Sequence, residues 1–447
     1  MDRPGRHLCI GCGICAAVCT LERIQMVYSK SLGHYMPSTG FRECDAACGR
    51  CGEVCPFVPG NPSTIEITKA LYAGKTGMQH DEVLGYYLKT YVGFSAAHRL
   101  TSASGGLLTW LLERLLVHGA IDGALCVGPS PASPTLFDYR ICRSVEELRA
   151  CSGSCYQPVE ISRALKQVLA QEGRYAVVAL PCVARGLRLA MRVTKDVNRR
   201  IRFVFGLVCG GMKTRHYVEY LALRWLRSDP DSFDRIAFRY KKPGWLPSAI
   251  TFAFWPKDAA HPRLLRFSDG IDYPFWNGSF NPQVCSCCDD VFAEHADAVF
   301  MDAWLEEFES KPDGHSLVLA REPYIASLLD VKNNGESTEI SSISPSRVID
   351  SQTRVQVVQQ KRVLTGYNAR AYGFRGIRTP NLRSKRGRID QWCEAMIRRR
   401  LRSVTLRSWT NHRGDYTRLD RVTFVWRKLL NLVFRVRSRA LDAVGKR

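Results

Sequence analysis

From Thr90 onward, short runs of β-branched and aromatic residues alternate with stretches whose leucines return every three or four positions. The first pattern predicts strands and the second amphipathic helices. Tyr91–Ala96 reads as a strand, and Gly106–His118 as a helix with leucines at 107, 108, 111, 112, 115 and 116. Ile121–Val127 reads as a strand, Pro158–Gln171 as a helix, Tyr175–Leu180 and Ile201–Val208 as strands, and Arg215–Arg227 as a helix. Further strands are expected at Arg235–Tyr240, Ile250–Trp255, Ala298–Met301 and Ser316–Ala320. This alternation predicts an α/β (α+β) body over residues 90–340. Residues 1–62 form a separate small unit closed by Pro56, Pro59 and Pro62, and a polar connector runs from about Ser63 to Lys89. Residues 371–447 form a third part, a basic helical tail.

Composition changes this picture in one place. The chain has 447 residues, 45% of them hydrophobic, which suffices for two or three domains with cores of their own. Of the net charge of +22, the stretch Ala371–Arg447 carries 21 Lys/Arg against 5 Asp/Glu, a surplus of 16 that leaves 6 for all that precedes it. Within the tail, Arg398, Arg399, Arg400 and Arg402 form a basic run. Leu419–Val436 is then largely apolar and surrounded by Arg418, Arg421, Arg427, Lys428, Arg435, Arg437 and Arg439. Bulky apolar and basic residues interleaved at helical spacing predict an amphipathic helix on an anionic membrane surface, or a docking helix for a partner subunit. A solvated tail is the plainer alternative. Nucleic acid is disfavoured, because no nucleic-acid-binding motif accompanies the charge. No stretch reaches the roughly 18 uninterrupted apolar residues of a membrane span.

The chemistry is concentrated in 18 cysteines. Eight lie in two runs, Cys9, Cys12, Cys15 and Cys19, then Cys44, Cys48, Cys51 and Cys55 followed by Pro56. An iron–sulfur cubane takes three thiolates from one short loop and a fourth from elsewhere, and in two-cluster ferredoxins the fourth cysteine of each run crosses to the other cluster. The spacing therefore predicts two [4Fe–4S] clusters, one on Cys9, Cys12, Cys15 and Cys55, the other on Cys19, Cys44, Cys48 and Cys51. Gly11, Gly13, Ala16 and Ala17 are small enough to leave the cluster room. Structural zinc is the alternative, although zinc ribbons separate their Cys-x2-Cys pairs with a longer spacer. No charged segment followed by an apolar one precedes Cys9, so a reducing, cytoplasmic setting is expected and a disulfide scaffold is not. In the body, Cys182, Cys209, Cys285 and Cys288 sit in expected turns or at strand ends beside Gly, Pro or Asp, where α/β sheets place ligands. A third cluster is one reading of these four. Buried cysteines such as Cys126 and Cys142 are more simply core.

Over about residues 5–330 the chain resembles the family of coenzyme F420-reducing hydrogenase/dehydrogenase beta subunits, which are iron–sulfur flavoproteins. The resemblance lies in Ser104-Gly105-Gly106-x2-Thr109, Ile121-Asp122-Gly123, Pro181-Cys182, Val208-Cys209-Gly210 and Phe238-Arg239-Tyr240 with Gly244-Trp245. It continues through Cys285-x2-Cys288-Asp289 to Asp302-Ala303-Trp304. It implies a flavin, usually FAD, beside a [4Fe–4S] cluster, with Cys182, Cys209, Cys285 and Cys288 at the ligand positions. Ser104, Gly105, Gly106 and Thr109 would then lie at the flavin, and Arg99 and Arg239 are candidates for cofactor phosphate or an acidic substrate. An ordinary helix start capped by Ser104 is the competing reading. Thr20, Met301 and the additional Cys151, Cys155 and Cys287 depart from the family pattern.

The expected activity is that of an oxidoreductase passing electrons between ferredoxin-type clusters and a flavin that acts on an organic substrate or deazaflavin coenzyme. The resemblance extends by analogy to polysaccharide biosynthesis. A redox partner protein or subunit is implied, with peripheral contact at the inner face of the membrane through the tail. The alternative is a non-catalytic electron-transfer subunit of a larger complex.

Overall fold

A computed structural model describes residues 8–38, 48–330, 337–354, 365 and 385–444, with backbone alone at 353–354, 385–391, 434 and 436–444. The N-terminal part carries a hairpin of β1 (Met26–Ser29) and β2 (His34–Pro37) and two single-turn helices, Ile14–Ala17 and Arg50–Glu53. The stretch expected to be a connector is ordered. Ser63 and Glu66 form a reciprocal cap on a helix over Thr64–Tyr72, and β3 (Gln79–Asp81) pairs with β4 (Gly85–Tyr87). The polar surface of this helix masks, in the sequence, its inward face of Thr64, Ile67, Thr68 and Tyr72.

The body is built on a mixed eight-stranded sheet. Its strands are β5 (Lys89–Ser95), β6 (Gly123–Pro129), β7 (Phe137–Cys142), β8 (Tyr175–Ala179) and β9 (Ile201–Leu207), then β13 (Ala298–Asp302), β14 (Ser316–Ala320) and β15 (Thr338–Ser342). Between them, β10 (Phe233–Ala237), β11 (Thr251–Pro256) and β12 (Arg263–Arg266) make a separate antiparallel sheet. The large sheet runs in the order β15-β5-β14-β13-β9-β8-β6-β7, and β6, β8, β9 and β13 are parallel neighbours. Each parallel step needs a crossover, which helices supply, so both faces are covered.

Alternation along the strands divides the core. Val177 of β8, Val204 of β9 and Leu317 and Leu319 of β14 point into one apolar layer. Ala176, Phe203, Phe205 and Val318 point into the other, against the helix Leu107–Val117. That helix buries Leu107, Leu111 and Leu115 completely, each contributing about 1.5–3 kcal/mol relative to exposure. The N-terminal part shares the first layer, since Ile14, Ala17, Val18 and Val54 pack there with Val183 and Leu187. A third, aromatic cluster lies over β10–β12 and includes Tyr217, Phe252, Phe280 and Trp409.

The tail is helical, as expected, and forms two long antiparallel helices, Lys385–Asn411 and Tyr416–Val444. It is more than a basic arm. Ala395, Arg398, Leu401, Arg402, Trp409, Leu419 and Leu430 are buried, and Trp409 belongs to the aromatic cluster of the body.

Candidate functional site

The parallel strands deliver the body cysteines to one place. Cys182 follows β8 and Cys209 follows β9, adjacent strands in parallel register. In place of the turn expected at Cys182 stands the first turn of a helix, Pro181–Val193, because Pro181 suits the first helical position. Cys285 and Cys287 lie on a short 3-10 turn, Gln283–Cys287, and Cys288 follows it in extended conformation. The Cys209 N–H donates to Val291 O (3.2 Å), which ties the chain just beyond that segment to the end of β9, and Val208 N–H donates to Phe300 O of β13 (3.2 Å). Thr365 Oγ1 donates to Cys288 O at 2.8 Å. Burial pushes the Cys182 thiol well up, and the nearby Cys288, Cys209, Cys285 and Cys12 sulfurs push it the same way. The structure thus brings Cys182, Cys209, Cys285 and Cys288 together, with Cys287 buried beside them.

The N-terminal set converges likewise. Burial raises the thiols of Cys9, Cys12 and Cys15 and brings Cys55 up to about 12. Cys12 senses Cys55 and Cys9; Cys15 senses Cys12, Cys55, Cys9 and also Cys51. Gly13 has a packing role in the structure: its φ is +84°, and a Cβ there would stand 2.4 Å from Glu160 Oε2. The adjacent N–H of Ile161 donates to Cys12 O at 2.9 Å, which fixes the cysteine loop on the body. Of the other expected set, Cys19 and Cys51 are half-buried and Cys48 is exposed, while Cys44 lies outside the described residues.

These two groups of thiols are neighbours. Cys12, Cys55, Cys182, Cys285 and Cys288 all pack on one apolar cluster formed by Leu8, Ile10, Phe57, Val284 and Cys287. Among the described residues no three His, Cys, Asp or Glu side chains are close enough to hold a single metal ion. The donor chemistry suits an iron–sulfur cluster, which takes four thiolates around several irons. It has a feature absent from the sequence reading, a buried cation pair. Lys213 Nζ donates to Asn281 Oδ1 (2.7 Å) and lies 4.4 Å from the centroid of the Phe275 ring. Burial lowers Lys213 to about 7, against the pull of the Cys285 and Cys209 thiols. Arg402 donates through Nε to Gly278 O (3.0 Å) and through Nη1 to Ser286 Oγ. Burial lowers it to about 10, again opposed by Cys285. Lys213 follows Cys209 by four residues and is legible in principle; nothing in the sequence links Arg402 to this place.

The expected flavin residues gather at a different edge, where β5 and β13 end and β14 begins. Ser104 Oγ donates to His315 O, and Arg99 Nη2 donates to Pro312 O (3.0 Å) and Gly314 O (2.8 Å). Arg239, buried and at φ +62°, donates to both carboxylate oxygens of Asp302 (3.3 and 3.2 Å) and to Ala103 O (3.2 Å). Such backbone strain in a residue with a Cβ is tolerated when its surroundings over-determine it. Gly105 and Gly106 each have a packing or backbone role in the loop itself. A Cβ on Gly105 would stand 2.5 Å from Gly93 O and 2.6 Å from Ser316 N, so the glycine lets the loop close onto the strands. Gly106, at φ +83°, begins the helix with no side-chain cap, so Ser104 does not act as the cap. Thr109 is half-buried on that helix's first turn.

Beside this loop is a narrow cleft lined by Arg239, Lys241, Trp245, Leu246, Asp313 and Gly314. Lys241, which no sequence motif singles out, spends its three donors on Arg99 O (2.7 Å), Ser104 O (2.8 Å) and Asp313 O (2.9 Å). Burial lowers it to about 7. Arg99 Nε and His315 Nδ1 are buried without a hydrogen-bond partner among the described residues. The cationic groups and apolar walls have the make-up of a nucleotide site, and the cleft as it stands is too narrow to admit a flavin ring without opening.

Residues 90–166 match the N-terminal model, and residues 172–346 the C-terminal model, of the coenzyme F420 hydrogenase/dehydrogenase beta subunit. The chain belongs to that family. It is 26% identical over 216 residues to one of the subunits of the F(420)H(2) dehydrogenase of Methanosarcina mazei, covering 47% of this chain and 55% of that one. It is 27% identical over 188 residues to the coenzyme F420-dependent sulfite reductase of Methanocaldococcus jannaschii, covering 40% of this chain and 25% of that one. The match thus spans about half of the first relative and a quarter of the second. A chain of the F420-reducing [NiFe] hydrogenase complex from Methanosarcina barkeri aligns with 18% identity and a TM-score of 0.49, over 68% of this chain and 99% of that chain. The boundary of the family match divides the cation pair: Lys213 lies inside residues 172–346, Arg402 beyond them.

Proposed function

We propose that the protein is an iron–sulfur flavoprotein oxidoreductase. The observation that carries this reading is the packing of Cys12 and Cys55 of the N-terminal set with Cys182, Cys285 and Cys288 of the body on one apolar cluster. Cys9, Cys12, Cys15 and Cys55 would hold one [4Fe–4S] cluster, Cys19, Cys44, Cys48 and Cys51 a second, and Cys182, Cys209, Cys285 and Cys288 a third. Clusters so held would supply one-electron relay, and a bound flavin would join that relay to two-electron chemistry on an organic substrate or deazaflavin. The protein's own part is to exclude water with Leu8, Ile10, Phe57 and Val284, and to fix the cysteine loops through Ile161 and Val291. At the cleft, Arg239 is oriented by Asp302; next to its lining residues, Arg99 and His315 each carry a buried nitrogen with no partner among the described residues, which a nucleotide reaching that far would satisfy.

The second reading, an electron-transfer subunit without its own substrate, is favoured by the narrow cleft and by the full hydrogen-bonding of Lys241. Photoreduced protein separates the two. Reoxidation by coenzyme F420 alone supports the enzyme; reoxidation by a protein acceptor only supports the electron-transfer role. Peripheral membrane contact also belongs to this proposal. Val422, Val425, Leu429 and Leu432 form an exposed apolar stripe beside exposed Arg421, Lys428 and Arg435, which is the make-up of an interfacial helix. None of the described helices is long and apolar enough to cross a membrane.

A further inference from the structure

Lys213 is 4% exposed and Arg402 is 9% exposed, and neither has a carboxylate partner among the described residues. Their contacts are neutral: an amide oxygen and a ring face for Lys213, a carbonyl and a hydroxyl for Arg402. A buried cation without an anion is costly, and burial is normally accompanied by pairing. Two other buried cations are paired, Arg188 with Asp297 at 2.7 Å and Arg398 with Glu394 at 2.9 Å, whereas Arg321 is satisfied by five backbone carbonyls. Cys285 and Cys209 are neighbours of Lys213, and Cys285 and Cys287 of Arg402, which bonds Ser286 between them; the Arg398 guanidinium is a further neighbour of both.

We infer that Lys213 and Arg402 are the counter-charges of the body cluster, and that the C-terminal helix, through Arg402, holds that cluster's reduction potential up. This inference rests on the proposed third cluster at Cys182, Cys209, Cys285 and Cys288. Four thiolates around a cluster give the site a net negative charge, and each electron accepted adds one more with no bond made or broken. A fixed positive charge in a dry site stabilises the reduced form more than the oxidised one. Lys213 comes from the family body, on the loop after β9. Arg402 comes from the helix Lys385–Asn411, which lies beyond the family match at 172–346. The tail thereby becomes part of the redox centre: Arg402 reaches Gly278 and Ser286 on the segment that carries the cysteines.

The test is an EPR-monitored redox titration of the full-length protein, with iron analysis of every sample. The body-cluster signal is identified as the one lost in Cys182→Ser. In Arg402→Gln the reduction equilibrium of that signal is expected to fall about tenfold, about 59 mV for one electron. The signals of the N-terminal clusters stay in place. Arg402→Lys, which keeps the charge, restores the potential, and Arg407→Gln, at an exposed position on the same helix, leaves it unchanged. An unmoved potential in Arg402→Gln with full iron overturns the inference. If Arg402→Gln folds without the body cluster, Arg402→Lys decides. Recovery of the iron supports charge compensation, and continued loss means that shape alone was at stake. Absence of a third cluster in the wild type would overturn the underlying functional reading instead, and the iron content alone distinguishes that outcome.

Discussion

Glu219→Gln tests whether the tail is an integral part of the body. Glu219 is buried on the helix Arg215–Arg224, and its carboxylate receives three donors. Trp409 Nε1 reaches it at 2.9 Å and Arg413 Nη2 at 2.6 Å, both from the tail, and His216 Nδ1 at 3.0 Å from its own helix. Burial by itself would raise this carboxyl. The hydrogen bond and charge of His216, the Trp409 hydrogen bond and the Arg413 charge outweigh burial and bring it to about 2 from an ordinary 4.5. At about 1.4 kcal/mol per pH unit, that depression corresponds to about 3 kcal/mol of stability. The folded value lies below the unfolded one, so this stability is complete above about pH 4.5 and is lost as the pH falls towards 2. Glutamine keeps the volume, removes the charge, and turns an amide N–H2 towards donors. At pH 7 the variant should therefore lose about 3 kcal/mol. Hydrogen exchange in Lys385–Asn411 should accelerate about a hundredfold if the loss appears as local opening. Wild type and variant should converge near pH 2. Unchanged exchange in the tail of a folded Glu219→Gln protein, or a difference that persists undiminished at pH 2, would refute this account of the docking.

Two further outcomes follow from close packing. Gly105→Ala puts a Cβ against the backbone of Gly93 and Ser316, so the loop of residues 98–106 must move off the strand ends. We expect a loss of about 1–3 kcal/mol in denaturant unfolding together with weakened flavin retention; wild-type stability and flavin content would show that the loop has slack. Arg321 is fully buried and donates to the carbonyls of Tyr86, Leu84, Phe292, Ala293 and Ala296. Arg321→Met strands those acceptors, at about 1–3 kcal/mol for each that water cannot reach, and soluble expression should collapse.

Much of the body is legible in the sequence because its strands are buried on both faces and read as short apolar runs. Ile201–Val208 and Ser316–Ala320 correspond closely to β9 and β14. Polar, solvent-facing elements are not legible: the helix Thr64–Tyr72 and β7, with its mixed Phe137–Cys142 sequence, show too little apolar periodicity. The cysteine spacing names the N-terminal thiols that converge around Cys12, because that spacing is local, whereas Cys182, Cys209, Cys285 and Cys288 are marked by their Gly, Pro and Asp neighbours and by the family resemblance. The charges around them are invisible to such spacing, since Arg402 meets Ser286 across 116 positions of sequence. The tail's basic run has the make-up of a surface, whereas Arg398 and Arg402 are buried and only part of the charge faces water. Gly105 marks a close backbone approach without saying what approaches; Gly93 and Ser316 lie against it in the structure.

The central claim is that these cysteines hold iron–sulfur clusters in series with a flavin. Iron, acid-labile sulfide, zinc and flavin should be measured on anaerobically purified full-length protein, alongside its visible spectrum. Three clusters require about twelve iron and twelve sulfide per chain, with one flavin and a brown colour. Zinc in place of iron, in a colourless protein, would contradict the claim.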